Sequence, residues 1–208
     1  MKAHTKDTQA IMTPAKSLQE LKDGNSRFQK GSVLSRDLMD QMSDTSKGQF
    51  PFATVLSCID SRVSSELIFD QGIGDIFSVR IAGNFVNQDI LGSMEFACKL
   101  AGTKLILVLG HTSCGAVKGA CDDAKLGNLT DMLAKIKPAV NSVEEPADAS
   151  QRNSGNIQFV NMVSAKNVEL NIQRILDESP VLAEMKQAGD IQIVGGMYDI
   201  QTGAVEFY

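Results

Sequence analysis

Hydrophobic positions along this chain form two patterns: short unbroken runs, and longer stretches with apolar residues every third or fourth position. Four runs stand out, at residues 51–57 (PFATVLS), 76–83 (IFSVRIAG), 104–110 (KLILVLG) and 192–199 (QIVGGMYD). Runs this short and continuous predict strands covered on both faces, as inside a parallel sheet. Between them the period lengthens. Leu18, Leu21 and Phe28, following a Pro14 suited to a helix entrance, predict an amphipathic N-terminal helix. Leu91, Met94, Cys98 and Ala101 share one helical stripe, which Gly102 can stop. Residues 129–140 predict another helix, and residues 164–179 a long one with Val168, Ile172, Ile175 and Leu176 facing inward. Residues 31–48 are polar and read as mixed helix and loop, 61–75 as a helical turn or two and a loop, and 144–155 as a polar loop. The tail, 203–208, follows an Ile200-Gln-Thr-Gly203 turn signal and is expected to return as an antiparallel edge strand.

Alternating strands and helices predict an α/β fold, doubly wound, with a mainly parallel sheet and right-handed crossovers. Cys58 directly follows the first run, and His111 and Cys114 follow the third. Both motifs therefore sit at the carboxyl ends of strands, the edge where open α/β sheets bind ligands. If the two groups meet, their strands are neighbours and the 76–83 strand lies outside the first, giving the order 2-1-3-4 with the switch point between the cysteine- and histidine-bearing strands. No composition break divides the chain, so a single domain over 1–208 is expected, with an N-terminal helical arm at 1–48 and an α/β core at 49–208.

Composition narrows the function. A net charge of −5 and the lack of a basic cluster interleaved with aromatics argue against nucleic acid and anionic lipid as partners. No run approaches the roughly 20 apolar residues of a membrane span, and the first residues lack a signal-peptide core, so a cytoplasmic location is expected. In that compartment Cys58, Cys98, Cys114 and Cys121 would stay reduced, which favours metal binding or burial over disulfides.

Cys58, His111 and Cys114 make a Cys₂His set, which zinc uses when its fourth tetrahedral position is left to water. The only other histidine, His4, lies in a terminus expected to be loose. On spacing alone, metal binding competes evenly with a plainer reading in which the cysteines fill the core and His111 is a hydrogen-bonded loop residue. A reactive Cys58 is a weaker third reading, since no Cys-x-x-Cys pair supports redox work. Two thiolates cancel the charge of zinc, so ionising its water needs help. Asp60 and Arg62, on the same turn as Cys58, are placed to give it, the arginine keeping the carboxylate ionised. Taken without the ligands, Asp60 and Arg62 read as a surface ion pair of little value.

Cys58-Ile-Asp-Ser-Arg62, followed by Gly110-His-Thr-Ser-Cys-Gly115, resembles the β-class carbonic anhydrase family. The resemblance runs from about Ser17 to the C-terminus and includes Arg80-Ile-Ala-Gly-Asn84 and Gly195-Gly-Met-Tyr-Asp199. It implies one Zn²⁺ per chain on Cys58, His111 and Cys114, with Asp60 and Arg62 as the catalytic pair. The implied activity is the reversible hydration of carbon dioxide to bicarbonate and a proton. It further implies a substrate pocket in which Gln49, Phe77, Ala82, the Gly115 amide and Phe96 take part, with Phe96 standing where the plant-like subtype commonly carries a tyrosine. The other subtype closes its site by binding the aspartate to zinc and uses a tryptophan in a side pocket. This chain has no tryptophan, so an open site is expected. Members of the family are usually homodimers or dimers of dimers with the N-terminal helix over a neighbour. Two alternatives share the ligands: a zinc-containing regulatory protein without turnover, and an enzyme acting on carbon disulfide or carbonyl sulfide.

Overall fold

The computed structural model describes residues 2–208. Five strands form one sheet: β1 (Ala53–Ser57), β2 (Ile76–Arg80), β3 (Leu105–His111), β4 (Gln192–Tyr198) and β5 (Val205–Phe207), in the order β2-β1-β3-β4-β5. β2, β1, β3 and β4 run parallel, and β5 returns antiparallel to β4. The predicted order and the antiparallel end strand are both present.

The unbroken apolar runs are explained by burial on both faces. Leu105, Leu107 and Leu109 of β3 point to one side, where they pack with Leu21, Phe52 and Phe69. Ile106 and Val108 point to the other, against Val168 and Ile175. All five of these β3 residues are fully buried. Each contributes about 1.5–3 kcal/mol of transfer free energy relative to an exposed side chain.

Helices cover both faces. The N-terminal arm supplies α1 (Lys6–Ala10), α2 (Pro14–Gln29) and α3 (Leu38–Thr45). α2 starts where Thr13 accepts the Lys16 N–H, with Pro14 in the first turn. Its stripe is taken up by the chain's own core: Leu21 is fully buried, and Leu18 and Phe28 pack beside it. Arg27 and Arg36 both hold the buried Asp70 carboxylate, tying the arm to the end of α4 (Ser65–Ile68). His4, expected to be loose, is held instead: its N–H donates to Asp75 Oδ1 at 3.2 Å and its ring lies 5.2 Å from that of the buried Phe52.

Several boundaries differ from the sequence reading. β2 stops at Arg80 instead of running to 83, because the chain turns at Gly83 (φ +81°) and Asn84 (φ 39°). The helix expected over 89–102 begins as α5 (Gln88–Glu95) and widens into a π-helix over Phe96–Leu100, marked by the Ala101 N–H bond to the Phe96 carbonyl at 3.0 Å. α6 (Gly115–Cys121) follows β3. The single helix expected over 129–140 is two, α7 (Gly127–Ala134) and α8 (Lys137–Ser142), because Pro138 cannot continue a helix arriving from before it. The long helix starts earlier than expected, as α9 (Ile157–Glu178), and α10 (Pro180–Gln187) follows it.

Candidate metal centre

Three neighbouring segments build the site. β1 ends one residue before Cys58, β3 ends on His111, and Cys114 opens α6. β1 and β3 pair directly, so parallel register delivers Cys58 and His111 to the same sheet edge. Ser113, at φ 56°, bends the chain between His111 and Cys114 and brings both inward.

One donor atom from each of Cys58, His111 and Cys114 lies within 4.8 Å of the others, and all three side chains are buried. The two sulfurs are 4.0 Å apart, and both cysteines are free thiols. His111 Nδ1 lies 3.0 Å from the Thr112 carbonyl, which makes it the protonated nitrogen and leaves Nε2 a bare acceptor. That Nε2 is buried without a hydrogen-bond partner among the described residues. An orphaned acceptor inside a protein costs about 1–3 kcal/mol unless something binds it. Two soft sulfurs and an imidazole nitrogen facing one point are the donor set zinc accepts, so these residues fit such an ion.

Electrostatics favour the ionised sulfur. Cys58 is lowered from the ordinary thiol range by the facing Cys114 thiol, against the opposing effect of burial, with further help from the backbone amides of Gly83 and Asp60. Cys114 moves the other way, because it donates to the Cys58 thiolate and is deeply buried. The metal-free pair therefore loses one proton readily and holds the second, which a divalent cation would displace.

Asp60 and Arg62 sit beside the three donors. Arg62 grips the carboxylate with both arms, Nε to Oδ1 at 2.9 Å and Nη2 to Oδ2 at 2.8 Å, and adds its backbone N–H at 3.0 Å. Those bonds hold the Asp60 carboxyl well below the usual carboxylate range. Asp60 Oδ2 is 3.9 Å from His111 Nε2 but is turned onto the arginine, outside the three-donor group. Arg80 fixes this turn from below, donating to the carbonyls of Cys58 at 2.9 Å and Asp60 at 2.7 Å.

The expected pocket residues are distributed unevenly. Phe77 and Phe96 meet edge to face with ring centres 6.3 Å apart and line a cavity of about 780 Å³ together with Arg80. Phe96 is 50 % exposed, at the point where α5 widens. Ala82 is half-buried on the turn before Gly83, Gly115 is exposed at the start of α6, and Gln49 is exposed on the segment entering β1. Gly83 and the helix α9 went unremarked as site residues in the sequence. Gly83 donates its N–H to Cys58 Sγ at 3.3 Å, and α9 carries Asn161, whose Oδ1 accepts the Ser113 N–H at 2.9 Å. In the sequence, Asn167 and Asn171 of the same helix carry nothing that separates them from the polar residues of a solvated helix face.

Known proteins resemble this chain in sequence and fold. The carbonic anhydrase family model matches residues 53–205. A carbonic anhydrase of Mycolicibacterium smegmatis is 35% identical over 199 residues, covering 93% of this chain and 92% of that protein. Carbonic anhydrase 2 of Mycobacterium tuberculosis is 34% identical over 196 residues, covering 91% and 90%. The solved β-carbonic anhydrase CcaA superposes with a TM-score of 0.73 at 28% identity, covering 92% of this chain and 94% of that one. With the fold, the strand order and the extent of these matches in agreement, the chain belongs to the carbonic anhydrase family, in its β class.

Proposed function

We propose that this chain binds one Zn²⁺ through Cys58 Sγ, His111 Nε2 and Cys114 Sγ and uses it to interconvert carbon dioxide and bicarbonate. The observation that carries the reading is the meeting of two thiols and an unpartnered imidazole nitrogen beside an arginine-held carboxylate. Held by Cys58, His111 and Cys114, zinc would supply the Lewis acidity that lets a water ionise near neutral pH.

The protein groups divide the remaining work. Arg62 fixes Asp60 in one orientation through three hydrogen bonds. Asp60, held ionised by Arg62, would accept a hydrogen bond from the water at Oδ2, take its proton and release it to solvent or buffer. Its side chain is 15% exposed, enough to reach solvent, while His111 is fully buried and committed to the metal. Turnover should therefore rise with buffer concentration. By the family resemblance, Gln49, Phe77 and Phe96 hold carbon dioxide, and Ala82 and the Gly115 amide complete the pocket. No described helix is long and apolar enough to cross a membrane. A cytoplasmic homodimer or dimer of dimers is the proposed form; Leu100, which is 76% exposed, is an apolar side chain that an interface between copies would cover.

The test is metal analysis of the purified protein beside a stopped-flow hydration assay. Stoichiometric zinc with rapid hydration is expected. Zinc without hydration would point to a binding protein, and rapid turnover of carbonyl sulfide instead would reassign the substrate.

A further inference from the structure

The cysteine end of the metal centre is buttressed from a helix that supplies none of the three donors. Asn167 is 2% exposed, and its Nδ2 donates to the Gly83 carbonyl at 2.8 Å. Asn171, equally buried and one turn on, receives the Val86 N–H on its Oδ1 at 2.8 Å and donates from its Nδ2 to the Asn167 carbonyl at 2.7 Å and side-chain oxygen at 3.1 Å. Together they clamp the 83–86 turn, whose first residue gives its N–H to Cys58 Sγ. Gly83 has no slack of its own: a Cβ there would lie 2.4 Å from Ile136 Cδ1, and its φ of +81° is one that other residues rarely adopt.

We propose that Asn167 is a positioning residue of the metal centre, holding Gly83 so that its N–H is aimed at Cys58 Sγ. This rests on Cys58 being a metal ligand. Apolar side chains at these two positions would leave the Gly83 carbonyl and the Val86 N–H without these partners, at about 1–3 kcal/mol each. Nor could they define the direction of one N–H. Groups that orient a metal ligand from behind are worth about 10–100-fold in metal affinity or activity.

The experiment compares wild type, Asn167→Ala and Val168→Ala. Val168 is a fully buried apolar neighbour on the same helix, so its truncation reports general loosening. Zinc affinity is measured by competition with a chromophoric chelator, and the sulfur-to-metal charge-transfer band is recorded in cobalt-substituted protein. Asn167→Ala should bind zinc about 10–100-fold more weakly. Its band should move to longer wavelength, since a thiolate that loses a hydrogen bond gives up charge more easily. Val168→Ala should unfold earlier while leaving affinity and band in place. Affinity within twofold of wild type and an unmoved band in Asn167→Ala would overturn the proposal, as would an equal response from Val168→Ala. Should Asn167→Ala fail to fold, wild type loaded with cadmium-113 decides the matter: a scalar coupling between the metal and the Gly83 amide proton is expected, and its absence overturns the proposal. Wild type without tight zinc binding would bring down the metal assignment itself, whereas tight wild-type binding with an unaffected Asn167→Ala removes only the role of Asn167.

Discussion

Asp60→Asn isolates the proton-accepting role from everything else at the site. Asparagine keeps the shape and can still accept from Arg62, so the turn carrying Cys58 should survive. The stability cost is bounded by exposure. The Arg62 side chain is 52% exposed and that of Asp60 15%, so their pair lies in the range of about 0–1 kcal/mol measured for surface ion pairs. The catalytic cost should be larger. A positioned proton acceptor contributes about 10²–10⁴-fold. The lower bound, about 10²-fold, corresponds to about 2.7 kcal/mol of barrier. Stopped-flow hydration at fixed zinc content, with urea unfolding beside it, separates the two quantities. More than half the wild-type rate with zinc retained would refute the reasoning. The arginine supplies an independent check through pH. Asp60 has a folded pKa below its unfolded value, so its stabilising effect is present above about pH 3.9 and disappears as pH falls through the folded value. Arg62→Ala removes the chief cause of that depression, so Asp60 should begin to protonate at a higher pH and the acid limb of the rate profile should shift upward.

Three further outcomes follow from the geometry. Gly83→Ala forces a side chain into a left-handed backbone and against Ile136; the sum of about 1–2 kcal/mol for the conformation and about 1–3 kcal/mol for overpacking should appear in urea unfolding, and a loss under 0.5 kcal/mol would contradict it. Asp70→Ala strands Arg27 and the largely buried Arg36 and should cost about 3 kcal/mol by the same measurement, a neutral result showing that the arm is held by packing alone. Phe96→Tyr should keep zinc and activity within about threefold, because the half-exposed ring has solvent to receive a hydroxyl; a tenfold fall would mean that the Phe77–Phe96 wall tolerates no polar group.

The sheet was legible because its interior strands leave no polar alternation to misread: every residue of β1 and β3 is buried. The positions of Cys58, His111 and Cys114 followed from that, since parallel strands carry their next residues to one edge. The order of strands needed only the requirement that the three side chains meet. Short elements were lost. α6 begins with Gly115 and contains Gly119, residues that weaken a helical signal, and it is held by packing of Val117 and Ala120 against the core. The π-helix at Phe96 leaves no compositional trace, because it changes hydrogen-bond partners and not polarity. The asparagines of α9 were hidden for the opposite reason: polar side chains on a helix usually mark its solvated face, yet Asn167 and Asn171 are 2% exposed and spend their hydrogen bonds on backbone that cannot find water.

The metal content of the Cys58→Ser, His111→Ala and Cys114→Ser proteins, measured after preparation in excess zinc and removal of loosely bound ions, tests the central claim most directly. The account requires near one zinc per chain in wild type and near none in each variant, with all three folded. A variant that keeps its zinc would remove that residue from the centre, and a wild-type protein without zinc would contradict the account.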